Sequence, residues 1–228
     1  DLINLINEQP TKALESFNYI FDIVKDSNEV ARHINNRAII YKAQENYQLA
    51  INEFTRAIQL DKDPLYFQNR ARISYESLSD QISKDSILSD FQMAIELDSD
   101  NSSSYVNRAD YYSYLEDYDL AILDYFTSID LDPSASNYNS RADCYVELKK
   151  YDLALADYET AFEIADDVYD KTRALNNRAN VYWDQEKYQL ARDEYTRAIK
   201  ITKKSLYYSN RALLSYLYLS DQISKDSI

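Results

Sequence analysis

Histidine and cysteine, two residue types that often take part in catalysis or metal binding, each occur once in this chain. His33 is the only histidine and Cys144 is the only cysteine. One imidazole without a companion ligand or nucleophile supports neither a metal cluster nor a catalytic triad. We therefore interpret His33 as an outward-facing surface residue, and Cys144, beside Tyr145, as a small packing residue. The sequence predicts a protein that is not an enzyme and that holds no metal or cofactor.

Charged residues of opposite sign recur at regular distances along the chain. Six arginines each follow Asn or Ser and precede Ala: Arg37, Arg70, Arg108, Arg141, Arg178 and Arg211. Five acidic residues each stand immediately before an aromatic residue: Glu53, Asp90, Asp124, Asp157 and Glu194. Because a guanidinium group can hold a carboxylate through two parallel N–H donors, this recurrence predicts ion pairs between two helices of each repeat. A ligand site at the arginines is the alternative.

The spacings of these arginines reveal an internal repeat. They are 33, 38, 33, 37 and 33 residues, and the first four add up to 141. The decamer LSDQISKDSI occurs at 78–87 and again, at that same distance, at 219–228. Residues 35–87 and 176–228 are identical at 34 of 53 positions. A tandem duplication explains the repeated decamer without giving it a function.

Small and aromatic residues recur within each repeat at steps of three, four and seven. In the first repeat they are Ala38, Tyr41, Tyr47, Ala50, Phe54 and Ala57. Such steps are typical of two amphipathic helices, in which small residues allow close approach and aromatic residues fill the gaps. The chain has no glycine, which disfavours tight sheet turns and phosphate-binding loops. Its connections are expected to use Asp, Asn, Ser and Pro, as at 60–64, 97–104 and 131–136.

The charge of the chain restricts its partners. It has 25 basic and 39 acidic residues, a formal net charge of -14. Nucleic-acid binding requires a basic surface, so no nucleic-acid partner is expected, and a neutral or basic protein segment is favoured. No apolar run long enough to cross a membrane and no signal peptide are visible, so no membrane partner is predicted. The single cysteine favours an intracellular, reducing compartment.

The repeat pattern resembles the tetratricopeptide repeat (TPR), with its aromatic, Leu-Gly, Tyr, Ala-x-x-x-Phe, Ala and Pro signature. Arg-Ala stands here where the family often has Leu-Gly, and extra residues interrupt the second repeat. The resemblance implies an all-α, right-handed superhelical solenoid of antiparallel helix pairs, forming a single array over residues 1–228. The expected repeats are 31–63, 64–101, 102–134, 135–171 and 172–204, flanked by partial repeats at 1–30, which contains Pro10, Ala13 and Phe17, and at 205–228.

The resemblance also implies a binding surface. First helices of the family line a concave groove in which extended peptides lie, so we expect a protein or peptide partner in that groove. Asparagine amides there can donate to and accept from a peptide backbone, although capping or packing explains them equally well, and a groove-facing indole would serve as an anchor. The implied groove residues are Asn36, Asn69, Arg72, Tyr75, Asn107, Tyr114, Asp143, Asn177, Trp183 and Asn210, with Ser140 replacing the asparagine of the fourth repeat.

One TPR subfamily holds the C-terminal carboxylate of chaperones with a clamp of Lys, Asn and Arg residues. The middle asparagine of that clamp is present here, but its lysine positions are occupied by Asn35, Gln68, Val106, Asn139 and Asn176. Binding of a chaperone tail is therefore not predicted.

Two other functions remain open from the sequence: a self-assembling spacer array, and a regulatory domain of a larger protein. The last partial repeat lacks a second helix, so its apolar residues are expected to be uncovered, whereas the first partial repeat presents a complementary face. This predicts head-to-tail self-association through the two ends. The uncovered residues are Leu213, Leu214, Leu217 and Leu219, and the complementary ones are Leu14, Phe17 and Ile20.

Overall fold

The computed structural model describes residue 17 and residues 23–225, and over these residues the chain is helical and contains no strand. From residue 27 to residue 225 the described helices are α1 (Ser27–Ala43), α2 (Tyr47–Leu60), α3 (Pro64–Leu78), α4 (Lys84–Leu97), α5 (Ser102–Tyr114), α6 (Tyr118–Leu131), α7 (Ala135–Glu147), α8 (Tyr151–Ile164), α9 (Val168–Asp184), α10 (Tyr188–Ile201) and α11 (Ser205–Lys225). None of these helices is both long enough and apolar enough to span a membrane. The predicted all-α class is confirmed, while Pro10 and Ala13 lie outside the described residues.

The chain divides into two compact units, Asp1–Tyr111 and Tyr112–Ile228, each built from helices that pack on their neighbours in sequence. In the first unit α1 packs on α2, α2 on α3, and α3 on α4. In the second unit each helix from α6 to α10 packs on the helix that follows it. There α7 also contacts α9. This contact places the first helices of two consecutive helix pairs side by side.

Alanine and aromatic residues of the repeat pattern form the cores of both units. In the first unit Ala38, Ala50 and Phe54 are buried together with Ile73. Because alanines lie on the facing helices, the helices approach closely enough to enclose the Phe54 ring, whose full burial stabilises the fold by roughly 1.5–3 kcal/mol. The equivalent cluster in the second unit consists of Ala179, Ala191, Tyr195 and Leu214.

Short polar side chains cap several helices, as the sequence predicts. Asp63 accepts a hydrogen bond from the Leu65 N–H at 2.8 Å, and Pro64 occupies the first turn of α3. Ser134 accepts from the Asn137 N–H at the start of α7, at 3.2 Å. Such caps satisfy backbone donors that have no partner within the helix.

The turns inside the helix pairs differ from the prediction that Asp, Asn, Ser and Pro make the connections. Four non-glycine residues adopt the left-handed backbone conformation in these turns, at φ values of 55 to 61: Glu45, Glu116, Lys149 and Glu186. Each is followed by a backbone N–H that bonds to the carbonyl five residues back, as from Asn46 to Tyr41 at 2.9 Å. This is the Schellman ending of a helix. Without glycine in the chain, each such residue costs roughly 1–2 kcal/mol.

The repeated decamer adopts two conformations. In its first copy α3 ends at Leu78 and α4 begins at Lys84, so residues 79–83 connect two helices. In its second copy residues 219–225 are helical and form the last part of α11, which ends at Lys225. Local sequence therefore does not decide the structure of this segment.

Candidate functional site

The recurring arginines pair with the recurring acidic residues. Both partners come from the same helix pair, and the carboxylates are nearly buried. Four of the predicted pairs are Arg37 with Glu53, Arg70 with Asp90 (2.8 and 2.6 Å), Arg141 with Asp157 (2.7 and 2.8 Å), and Arg178 with Glu194 (3.7 Å). In Arg141 the hydrogen bond to Asp157 raises the pKa of the guanidinium, although burial alone would lower it. The structural interpretation of these arginines is confirmed at these four positions.

The predicted groove asparagines form hydrogen bonds between successive first helices. Asn69 Nδ2 donates to Asn35 Oδ1 (3.0 Å), Asn107 Nδ2 to Gln68 Oε1 (2.9 Å), Asn177 Nδ2 to Asp143 Oδ1 (2.9 Å), and Asn210 Nδ2 to Asn176 Oδ1 (3.1 Å). Asn36 Oδ1 accepts from the neighbouring Asn35 Nδ2 at 3.4 Å. One N–H of most of these amides is thus used for packing, so the peptide-binding role stays a prediction.

The other predicted groove residues lie in different environments. Arg72 and Tyr114 are exposed, and Trp183 is half-buried against the core cluster of the second unit. Tyr75 packs on Tyr111, with ring centroids 5.1 Å apart. Burial, followed by the negative charges of neighbouring carboxylates, raises the pKa of Tyr75 to about 12. Tyr75 is therefore a packing residue in the first unit, and its hydroxyl stays protonated at neutral pH.

Two of the predicted residues, Asp143 and Asn177, line one pocket of about 210 Å³ in the second unit. Its walls come from α7 and α9, and Tyr158 is supplied by α8. The further lining residues are Val146 and Glu147 on α7 and Asn180 and Val181 on α9. The pocket thus combines two carboxylates, two amides, a phenol and two aliphatic side chains.

The spacing of these residues explains why they converge. Asp143 and Glu147 are four residues apart on α7, so their side chains lie on one face of the helix. Asn177 and Val181 are related in the same way on α9. Because α7 contacts α9, the two faces meet, and Tyr158 of the intervening helix α8 reaches the space between them.

Asp143 is held by three donors. Its Oδ1 accepts from Tyr158 Oη and from Asn177 Nδ2 (2.9 Å), and its Oδ2 accepts from Arg173 Nη2 (2.7 Å). Arg173 also reaches Ser140 Oγ at 3.3 Å. Bonds from side chains of two other helices therefore fix the carboxylate in one orientation before any ligand arrives.

These contacts shift two pKa values. Burial, and then the Asp143 charge, raise the pKa of Tyr158 well above its ordinary range. Burial alone would lower the pKa of Arg173, but the Asp143 carboxylate outweighs it and raises that pKa. At neutral pH the phenol is therefore a neutral donor and the guanidinium is a cation paired with Asp143.

Sequence reasoning missed Tyr158, Glu147, Arg173 and Asn180 as members of the site. A signal for the phenol is nevertheless present in the sequence. The aromatic residue of the second helix is Phe in the first two repeats and Tyr in the next three, and an Asp or Asn stands fifteen positions before each of these Tyr residues. A tyrosine hydroxyl in a core needs such a partner, so the paired change indicates a contact.

The residues considered for catalysis do not form a reactive centre. Cys144 is buried, as predicted, with its Sγ 3.1 Å from Ser113 Oγ. The expectation that His33 faces outward is wrong: it is half-buried, its ring centroid lies 6.0 Å from that of Phe17, and its Nε2 is 3.8 Å from Glu29 Oε1. Within the described part of the chain, no His, Cys, Asp and Glu residues cluster in a way that could hold a metal ion.

Part of the predicted uncovered face is exposed on α11. Leu213 and Leu217 are exposed, but Leu214 is buried in the core cluster with Tyr195, which corrects the prediction for that residue. Phe17, predicted to lie on the complementary face, is buried. Leu14 and Ile20 lie outside the described residues, and so does the side chain of Leu219. Self-association stays a prediction.

Helix pairs repeated in tandem, with buried alanines and aromatic residues, define a helical-repeat protein. Two family models of the tetratricopeptide repeat match the chain, one at residues 132–204 and the other at residues 32–64 and 102–134. Together they cover more than half of it. The chain belongs to the tetratricopeptide repeat family, as its sequence pattern predicted. A search of curated proteins finds no match.

Solved structures of TPR proteins share the fold. The C-terminal part of a TPR repeat-containing protein from Cytophaga hutchinsonii is 18% identical, with a TM-score of 0.74 over 99% of this chain and 88% of that one. A thermophilic TPR protein of Thermus thermophilus is 17% identical, with a TM-score of 0.58 over 83% and 99%. PilF of Pseudomonas aeruginosa is 14% identical, with a TM-score of 0.65 over 85% and 92%.

The family defines a class of function. TPR proteins are scaffolds for protein–protein interaction, they bind protein partners, and they are generally not enzymes.

Proposed function

We propose that this chain is a non-enzymatic scaffold that binds a protein or peptide segment along the first-helix face of its repeats, without a cofactor. The pocket between α7 and α9 is the main observation that supports this proposal. It lies between α7 and α9, and first helices of this kind line the groove in TPR solenoids. It also contains Asp143 and Asn177, which the family resemblance implied as groove residues. A neutral or basic segment fits the net charge of -14.

The fixed orientation of the polar groups supports the proposal. Asp143 is held by Tyr158, Asn177 and Arg173 in the chain alone, so binding does not have to order its carboxylate. A site that is ordered in advance binds more tightly because less conformational entropy is lost on binding. Exposed Asn180 adds an amide at the pocket wall, suited to a peptide backbone.

A selection of displayed random peptides on the wild-type chain tests the proposal. Two variants provide the comparison: Glu147→Trp, at the pocket, and Glu163→Trp, an exposed glutamate on α8 that does not line it. Both remove one charge and add the same bulk. We expect selected peptides to lose binding to Glu147→Trp and to keep it for Glu163→Trp. Equal binding to both variants, or no selected peptide at all, would contradict the proposal.

A further inference from the structure

We infer that the pocket between α7 and α9 receives a lysine or arginine side chain of the bound segment, with its cation between the carboxylates of Glu147 and Asp143. This inference rests on the proposed function and specifies its ligand. The size of the pocket is the first argument. Its volume of about 210 Å³ is below the range of roughly 300–1,000 Å³ that is usual for sites of drug-sized molecules. A single side chain is the ligand of matching size.

The walls of the pocket suit a side chain with an apolar stem. Val146 of α7 and Val181 of α9 both line it. Val181 is buried in the core, whereas Val146 is only half-buried, so Val146 provides the accessible aliphatic surface. Lysine and arginine bury their methylene stems along such surfaces while their charged ends stay near polar groups. A short polar side chain would leave the accessible surface of Val146 without contact.

The charges of the pocket favour a cation. The Arg173 guanidinium is already engaged with Asp143 and Ser140, so its charge and that of Asp143 largely cancel. Glu147 is exposed and makes no ion pair within residues 23–225. Its negative charge therefore remains for a ligand, next to aliphatic walls that lower the local dielectric.

The acceptors are also placed for a cationic group. Asp143 Oδ2 accepts one hydrogen bond, from Arg173, and a carboxylate oxygen can accept a second. Glu147 lies one helical turn further along α7, roughly 5–6 Å away between Cβ atoms. An ammonium or guanidinium group between them can donate to both, and such charge-assisted bonds are stronger than neutral ones.

The first test is the composition of peptides selected from a displayed random library on the wild-type chain. We expect a lysine or arginine to be enriched at one fixed position of the aligned peptides. Selected peptides without an enriched basic residue would overturn the inference but leave the proposed function standing. The absence of any binding peptide would instead contradict the proposed function itself.

The second test is a double-mutant cycle on a selected peptide, with affinities measured by calorimetry. Glu147→Gln should weaken binding about fivefold, as expected for a partly exposed charge pair. The matched control Glu163→Gln, also an exposed glutamate, should not change it. Replacing the peptide's basic residue with norleucine should make the Glu147→Gln effect disappear. If Glu147→Gln weakens both peptides equally, or neither, the cation does not contact Glu147 and the inference is wrong.

Discussion

Residues 35–87 and residues 176–228 are two copies of one sequence, and their shared contacts show what the repeat requires. Asn69 donates to Asn35 in the first copy, and Asn210 donates to Asn176 in the second, at 3.0 and 3.1 Å. These bonds join consecutive first helices in both copies. Contacts that are retained although many of the surrounding positions changed are therefore part of how one repeat stacks on the next.

The copies differ in how they fill one core position. In the first copy Phe54 is enclosed by apolar neighbours, and the residue fifteen positions before it is Ile39. In the second copy Tyr195 takes that place, and its hydroxyl donates to Asn180 Oδ1 at 2.5 Å. The phenol and its acceptor changed together. The same kind of pair, Tyr158 with Asp143, lines the candidate pocket. Replacing Phe by Tyr at this core position therefore comes with a polar side chain on the first helix that accepts its hydrogen bond.

Both copies retain a hydrogen bond from the recurring arginine to a threonine. Arg70 makes two hydrogen bonds to Asp90 and one to Thr55 Oγ1 at 3.0 Å. Arg211 retains the equivalent bond, to Thr196 Oγ1 at 3.3 Å. Arg70 thus supports a nearly buried carboxylate as well as a hydroxyl, and the bond to the hydroxyl is present in both copies.

The largest difference that we expect between the copies concerns these arginines. Arg70→Ala should lower the free energy of unfolding by about 3 kcal/mol, because it leaves Asp90 without its cation in a nearly buried position. Arg211→Ala should lower it by less than about 1 kcal/mol, the value of an ordinary hydrogen bond. Urea unfolding of both variants measures the two changes. Similar losses would show that the carboxylate is not what makes Arg70 important.

The next difference concerns the aromatic core position. Phe54→Tyr should lower the free energy of unfolding by about 1–3 kcal/mol, because it buries a hydroxyl that faces Ile39. Adding Ile39→Asn, which supplies the acceptor found in the second copy, should recover most of that loss. Urea unfolding of the single and double variants checks this. A double variant less stable than Phe54→Tyr would mean that the two positions do not interact.

The fold was predictable because it depends on positions that repeat. Ala38 and Phe54 are buried as the steps of three and four indicate, and Arg141 meets Asp157 because each recurs in register. Contacts repeated in every unit appear in a single sequence as periodicity. The left-handed Glu45 was not predictable, since its φ is 60 and no local preference of glutamate favours that region. It is enforced by the helix packing on either side.

The candidate site was predictable only in part. Asp143 and Asn177 were implied by the family resemblance. At the repeat position of Arg173 an arginine recurs only once, as Arg32, so the periodic signal for it is weak. Its role depends on how closely α7 approaches α9, a distance that no sequence pattern specifies. The Tyr158 contact did leave a signal, the joint change of phenol and acceptor, and it becomes visible once the repeats are aligned.

We expect a smaller difference between the two copies of the decamer, in how a Gln→Gly substitution affects each. Gln222 lies within α11, whereas Gln81 lies in the connection between α3 and α4. Gln222→Gly should weaken the end of α11 by about 1 kcal/mol, the helix-propensity difference between the two residues, and amide hydrogen exchange there should become roughly fivefold faster. Gln81→Gly should leave exchange in α3 nearly unchanged. Equal acceleration in both copies would show that the two decamers share one conformation.

The smallest expected effect is a dependence on alkaline pH that Tyr195 adds to the second copy. Burial, followed by the charge of Asp184, raises the pKa of Tyr195 from 10.0 to about 12. The folded chain therefore holds this proton more tightly than the unfolded chain. The stability linked to the proton is complete below about pH 10 and is lost as the pH rises from about 10 through about 12.

The variant Tyr195→Phe removes both this proton and the hydrogen bond to Asn180. Because the exposed Asn180 amide can bond to water instead, the substitution should lower the free energy of unfolding by under about 1 kcal/mol below about pH 10. The unmodified chain loses this linked stability as the pH rises, whereas Tyr195→Phe does not. We therefore expect the stability difference between the two proteins, measured by urea unfolding across that pH range, to close and then to reverse. A gap that stays constant across the range would show that Tyr195 ionises equally in the folded and unfolded chains, and that its hydroxyl is not held as the structure shows.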